Sequence, residues 1–363
     1  MKIIVVGAGY AGTIAANKLA KKLKDAEIVM VNPRPDFVER VRLHQHIAGT
    51  ESATTPLDQM LRDNVSVTVG SVEAVGDGTV RIDDGTSLDF DYLIVAVGST
   101  VAPPPGTVAA GVLESAERAR TSLADLPAGA VVTVVGGGPT GIETAAEVAE
   151  ARPDLQTQLI APSIGASLSP GAQQRVRTEL ERLNVQVTEG TATDVRASDR
   201  GGVVVLESGQ ELRTDLTLWA IIADVPDLIA ASDLAADGEG RALVDEYLRS
   251  VTDPRVFVVG DCAAVPGARF ACATATPQGA HAANTLIRIV KGRKMKPFSM
   301  GYTGQALSLG RRNGVLQLCR RDDTPRRLFI SGRLGAVSKE SINRYAKFGP
   351  RTTKYAWLPG RQT

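Results

Sequence analysis

The stretch IIVVGAGYAG, residues 3–12, decides how this chain is read. Its β-branched run predicts a buried parallel strand, and Gly7, Gly9 and Gly12 follow in the spacing G-x-G-x-x-G. A helical pattern, TIAANKLAKKL, comes next. The first glycine permits a tight turn, and the second lets backbone approach a pyrophosphate. The third lets the helix pack closely on the strand, with its amino end toward the phosphates. The pattern recurs at residues 132–141, VTVVGGGPTG, with Gly136, Gly138 and Gly141 ahead of the helical IETAAEVAEA. One such motif is a weak signal. Two, each between a strand and a helix and about one domain apart, predict an α/β chain of two Rossmann-like dinucleotide-binding domains.

At 363 residues the chain has room for two domains and an appendage. No run approaches the roughly 18 apolar residues that cross a bilayer, and MKIIVVGAGY leads into a turn rather than a cleavage site. The expected location is the cytoplasm, or the inner face of the membrane if contact is peripheral. Cys262, Cys272 and Cys319 are too few for a disulfide scaffold and lack metal-ligand spacing, so no metal is expected. Charge is uneven. Residues 298–363 hold 13 Lys and Arg against 3 Asp and Glu, a balance of +10 in a chain of net +1, so the other 297 residues carry −9. That asymmetry suits an anionic partner or a solvated basic face.

A dinucleotide site of this type usually has an acidic residue about 20 positions beyond the last glycine, for the ribose hydroxyls. Here EIVMVN ends at Asn32, which hydrogen-bonds without charge, and QTQLIA ends at Ala161, which does neither. Ser163 and Arg175 lie downstream, but no arginine directly replaces the acid, so NADH and NADPH both stay open.

Two further strands, DYLIVAVGS (91–99) and RVFVVGDCA (255–263), complete a set of four motifs. Together these resemble the pyridine nucleotide–flavin oxidoreductase superfamily, FAD/NAD(P)-binding with two dinucleotide-binding domains, in its type II NADH dehydrogenase-like branch. The resemblance implies FAD on the first turn, with Gly98 permitting close approach. Asp261, after Gly260, would hold the ribityl hydroxyls; its alternative is a helix N-cap. It also implies a discontinuous FAD domain, 1–107 and 241–297, an inserted NAD(P) domain, 108–240, and a basic cover segment, 298–363.

In such dehydrogenases the segment matching NPRPDFVERVRLHQHIAG (32–49) passes the flavin ring, which places Arg42, His44 and Gln45 nearest it. His44 titrates near neutrality when unperturbed and is a general acid/base candidate, or else a loop hydrogen-bond partner. TATPQGAHAANTLIRIVKG (274–292) resembles the helix start beneath the flavin. Pro277 suits a first helical turn, and Gln278 is the expected contact to ring or quinone. The resemblance puts Glu143 near nicotinamide and flavin, whereas Glu147 reads as structural. With no cysteine before Cys262 a redox disulfide is excluded, so electrons pass directly to a quinone or similar small acceptor.

Toward the end, PFSMGYTGQALSLGRRNGVLQL alternates as a small hairpin over the flavin domain would. Ile342, Tyr345 and Phe348, flanked by Lys339, Arg344, Lys347, Arg351 and Lys354, suit weak membrane contact or a homodimer interface. Gly349 and Pro350 are expected to end that stripe. One departure counts against nicotinamide: LWAIIADVPDL puts Ile222 where relatives carry the glycine of W-A-x-G. The alternative function is therefore a flavin-dependent oxidase or dehydrogenase of a small organic metabolite, with a degenerate nicotinamide site. A non-enzymatic flavin-binding regulator ranks last, and no nucleic-acid module is present.

Overall fold

The computed structural model describes residues 1–198, 201–222 and 224–360. Two five-stranded sheets carry the chain. The first runs Val256–Val258, Tyr92–Val95, Lys2–Val6, Glu27–Asn32 and Ser66–Val69, all parallel. The second runs Val108–Ala109, Leu216–Trp219, Val131–Val135, Gln156–Ala161 and Gln186–Glu189, also parallel. Both are Rossmann-like, with the strand that feeds the glycine turn at the centre. Its two neighbours leave on opposite sides, which opens a crevice beyond the carboxyl ends.

β-Branched runs buried on both faces account for the strands. One apolar layer, including Ile3, Val5, Leu19, Ile94 and Phe257, packs the first sheet against helix Tyr10–Lys22 and helix Cys272–Val290. These helices touch at Gly279, where an added Cβ would lie 2.1 Å from the Ala11 carbonyl oxygen. Another layer, with Ile4, Val6 and Val258, covers the opposite face.

The carboxyl-terminal segment differs from its expected form. Strands Gly304–Ser308, Gly314–Cys319 and Pro325–Ser331 make an antiparallel sheet, followed by helix Gly332–Thr352. It does not simply cover the flavin domain. Leu307, Leu309 and Val315 join the buried cluster of the second sheet, with Ile142 and Val148. Leu43 and Ile47, of helix Leu43–Ala48, belong to that cluster too. Nor do Gly349 and Pro350 stop the last helix; Pro350 lies inside it. The exposed apolar stripe therefore begins earlier, at Leu334 and Val337, and continues through Ile342, Tyr345 and Phe348. Residues 361–363 of this segment lie outside the described residues.

Candidate dinucleotide and redox site

Both glycine turns have the same construction. Gly7 and Gly136 take positive φ, +96° and +132°. A Cβ on Gly12 would stand 1.8 Å from the Gly7 carbonyl oxygen, and one on Gly141 1.8 Å from that of Gly136. Nothing but glycine fits. At Gly9 and Gly138, by contrast, an added Cβ meets no atom within 4 Å. Each is the N-cap of its helix without a side-chain cap, and neither first turn holds an acidic residue. The exposed amides and the positive end of the helix dipole are thus free for an anion.

Asp261 follows Gly260 (φ +84°) at the carboxyl edge of the first sheet. No helix starts there, since the next begins at Cys272, so Asp261 is not an N-cap. Its Oδ2 accepts the Ser99 hydroxyl at 2.6 Å and faces Arg40 Nη1 at 3.8 Å. Burial pushes its pKa above the usual aspartate value, against the pull of Ser99 and Arg40. Arg40 also donates to the Ser99 carbonyl oxygen and hydroxyl, at 3.1 and 3.0 Å, while its Nη2 has no partner among the described residues. Gly98, at φ +73°, lies beside this guanidinium. These residues suit a flavin dinucleotide: open amides, a carboxyl at the sheet's carboxyl edge, and a guanidinium with nitrogen to spare.

Arg40 is the residue that sequence reasoning missed. Arg42, expected near the ring, is instead taken up by Glu340, to which Nη1 and Nη2 donate at 3.0 and 2.9 Å, and by Glu39 and Gln45. Gln45, itself buried, serves as that acceptor. Gln278 is 1% exposed, and its Oε1 accepts the Gly260 amide at 2.7 Å, so it braces the turn before Asp261 rather than facing a ring. Pro277 lies within helix Cys272–Val290, beyond its first turn, so the dipole end is at Cys272. Asn32 ties its loop together: Oδ1 accepts the Ala8 amide and Nδ2 donates to Arg34 O, at 2.9 and 2.7 Å.

A second, buried constellation joins the two halves. Glu143, from the helix after the second turn, pairs with Lys339 Nζ at 2.8 Å and accepts the Ser308 amide at 2.9 Å. His44 Nδ1 stands 3.9 Å from Glu143, and His44 Nε2 lies 3.2 Å from the Ser308 hydroxyl. Burial works against the Glu143 charge, yet Lys339, His44 and the Ser308 amide outweigh it and hold the pKa below normal. Burial drops His44 to about 4, opposed by Glu143 and assisted by Lys339, Arg311 and Arg42. Contrary to the expectation, His44 is neutral at pH 7 and does not titrate there.

At the second turn, Ile222 packs toward Gly111 and not toward Gly136, Gly138 or Gly141. Beside Gly136 stand the Ala220 backbone and the side chain of Ile221, which is 42% exposed. Ala161 is buried, and the Ser163 carbonyl oxygen would sit 1.9 Å from a Cβ on Gly137. Arg175 is engaged by Glu179 at 2.6 Å. All three cysteines are free thiols, and among the described residues no cluster suits a metal ion.

Two Rossmann-like sheets with paired glycine turns, and a buried ion-pair constellation between them, define an oxidoreductase of the two-dinucleotide-domain class. Comparison with known proteins agrees. The pyridine nucleotide-disulphide oxidoreductase family model matches residues 1–285. An NADH dehydrogenase-like protein of Mycobacterium tuberculosis is 28% identical over 381 residues, covering 94% of this chain and 93% of its own. A type II NADH:quinone oxidoreductase of Staphylococcus saprophyticus is 26% identical over 391 residues, covering 96% and 95%. In fold, the chain resembles NDH2 from Plasmodium falciparum in complex with NADH, with a TM-score of 0.79, 16% identity and coverage of 98% and 99%. Sulfide:quinone oxidoreductase from Aquifex aeolicus gives 0.80, 16%, 96% and 91%. The chain belongs to the pyridine nucleotide-disulphide oxidoreductase family.

Proposed function

We propose that this protein binds FAD at the first turn and NAD(P)H at the second, and passes electrons to a quinone or similar small acceptor without a redox disulfide. The observation that carries the reading is the Glu143–Lys339–His44 constellation, which joins the second turn's helix to helix Leu43–Ala48 and to the last helix. When bound, the flavin supplies the two-electron chemistry. The chain's own residues bind and orient. Amides near Gly9 and Gly138 would receive the pyrophosphates, and Asp261 and Arg40 the flavin's polar chain. Lys339 keeps Glu143 ionised beside neutral His44. Segments 1–107 and 241–297 would form the FAD unit and 108–240 the NAD(P) unit. Stopped-flow mixing of the yellow protein with NADH and with NADPH tests the reading: flavin bleaching by either supports it, and bleaching by neither overturns it.

Exposed Ile221 and buried Ala161 favour one other reading, an oxidase or dehydrogenase of a small organic metabolite. Bleaching only by an added organic substrate would select it. No helix among the described residues is long and apolar enough to cross a membrane. Leu334, Val337, Tyr345 and Phe348 share one exposed face of the last helix, within a segment rich in Lys and Arg. Such a face suits peripheral contact with anionic lipid on the cytoplasmic side, or a homodimer interface. Co-sedimentation with phosphatidylglycerol vesicles distinguishes the two.

A further inference from the structure

A dinucleotide on a glycine turn lays its adenosine ribose at the end of the neighbouring strand, where an acidic residue accepts hydrogen bonds from the ribose hydroxyls. At the second turn that strand is Gln156–Ala161, and its last residue, Ala161, is 1% exposed and has no polar side-chain atom. The next strand brings a carboxylate to the same level. Gly190 N donates to Ala161 O at 3.0 Å, and Glu189 stands in register beside Ala161. That carboxylate has a counter-charge: Arg177, on helix Pro170–Arg182, donates to its Oε1 through Nη2. Both side chains reach water, at 31% and 57% exposure, so the pair is open to a ligand. Arg175, two residues earlier, is held by Glu179 instead. Two residues beyond Ala161, Ser163 is exposed, and its hydroxyl has no protein partner among the described residues. Its backbone presses on the turn, with the carbonyl oxygen 1.9 Å from where a Gly137 Cβ would stand. The residues flanking Ala161 thus offer a guanidinium, a hydroxyl and no carboxylate without a counter-charge.

We propose that the second turn selects NADPH over NADH, with Arg177 and Ser163 receiving the 2′-phosphate of the adenosine ribose. The inference rests on the reading of that turn as the NAD(P)H site and adds which of the two nicotinamides it takes. A carboxylate in the place of Ala161 would bind the 2′-hydroxyl of NADH and repel the 2′-phosphate of NADPH. Alanine does neither, and so removes the device that favours NADH. A guanidinium meets phosphate with several N–H groups at once. Nη2 of Arg177 is on Glu189, while Nε and Nη1 make no hydrogen bond among the described residues. Glu189 is then a positioning residue, which holds the guanidinium level with Ala161. The first turn is built otherwise. Asn32 spends its side chain on the Ala8 amide and Arg34 O, and the Arg34 guanidinium is held by Glu114. That rim keeps no guanidinium for a phosphate, in keeping with FAD, whose adenosine ribose carries none at its 2′ position.

Calorimetric titration of the FAD-loaded protein with two fragments, adenosine 2′,5′-bisphosphate and 5′-AMP, reads the rim without any redox step. Wild type binds the bisphosphate at least about tenfold tighter, the size of one charge-assisted hydrogen bond. Arg177→Gln brings the two fragments within about twofold of each other and leaves the affinity for AMP unchanged; a merely structural role for Arg177 would weaken both alike. Ser163→Asp, an exposed change that spares folding, reverses the order, because a carboxylate repels the phosphate and accepts from ribose hydroxyls. Equal or tighter binding of AMP by wild type, binding of neither fragment, or a preference that survives Arg177→Gln overturns the proposal. Stopped flow then separates it from the reading beneath. Bleaching of the flavin by NADPH at lower concentrations than by NADH supports both. A wild type that prefers the bisphosphate yet is bleached by neither nicotinamide supports the rim assignment and overturns the proposed function. Bleaching by NADH where NADPH has no effect overturns the NADPH preference alone.

Discussion

The two glycine turns share a backbone and differ at their rims. In the first, Asn32 at the end of the neighbouring strand holds the Ala8 amide, and the following residue, Pro33, is exposed. In the second, buried Ala161 occupies the matching place, and the chain folds back so that the Gly165 amide donates to Gly137 O at 2.8 Å. Steric necessity keeps the turn itself invariant between the copies. The rim is where one dinucleotide is told from another, and there the copies have separated.

Adding a methyl group breaks the comparison most severely. Gly12→Ala and Gly141→Ala each drive a Cβ to within 1.8 Å of a carbonyl oxygen, which demands backbone displacement. Gly12→Ala is expected to purify colourless, and Gly141→Ala to stay yellow but resist bleaching by NAD(P)H; both are read from the visible spectrum. The open positions give a sharper version. Gly9→Ala and Gly138→Ala meet no protein atom, so the melting temperature of the ligand-free protein should hold or rise slightly, by roughly 0.4–1 kcal/mol of added stability. Affinity for the dinucleotide should nevertheless fall about tenfold, equal to about 1.4 kcal/mol in binding titrations. A loss of stability there would show the space is not open.

Next in size is pH. His44 has a folded-state pKa of about 4 against 6.5 for an exposed histidine, so the unfolded chain binds more protons between those values. Its contribution is complete above about pH 6.5 and is lost as pH falls toward 4, on the order of 3 kcal/mol at most. Denaturation of His44→Gln across this window should show a flatter profile than wild type. At the rims, Asn32→Ala removes two hydrogen bonds at a cost of roughly 1–3 kcal/mol. The smallest effect is at the nicotinamide end. Ile221→Gly should tighten NAD(P)H binding a few fold, whereas Ile222→Gly, facing Gly111, should not; the reverse order in binding titrations would restore Ile222 as the obstacle.

The turns, the sheet strands and Asp261 were legible because each depends on residues adjacent in the chain: a β-branched run, a glycine spacing, a strand end. The ion-pair constellation was not. Arg42 meets Glu340 across 298 positions, His44 meets Ser308 across 264, and Glu143 meets Ser308 across 165. No local pattern encodes such partners, and so Arg42 and Arg40 were exchanged: two arginines two residues apart, separated in fate by which carboxylate the fold brings near. Pro277 was misplaced for a related reason. Proline marks a helix start by propensity, but this helix begins at Cys272, where the Thr274 hydroxyl donates to Arg269 O and Ala271 O, both at 2.7 Å.

The last helix, finally, has a bearing on the order of events during synthesis. Lys339, Glu340 and Lys347 supply the counter-charges for Glu143, Arg42 and Glu39, and all three lie on the last helix, Gly332–Thr352. A nascent chain completes its amino-terminal strands and glycine turn long before these partners emerge. Until then the buried carboxylates and the Arg42 guanidinium must stay hydrated, keeping the seam between the halves ajar. Closure of that seam waits until the last helix has been made.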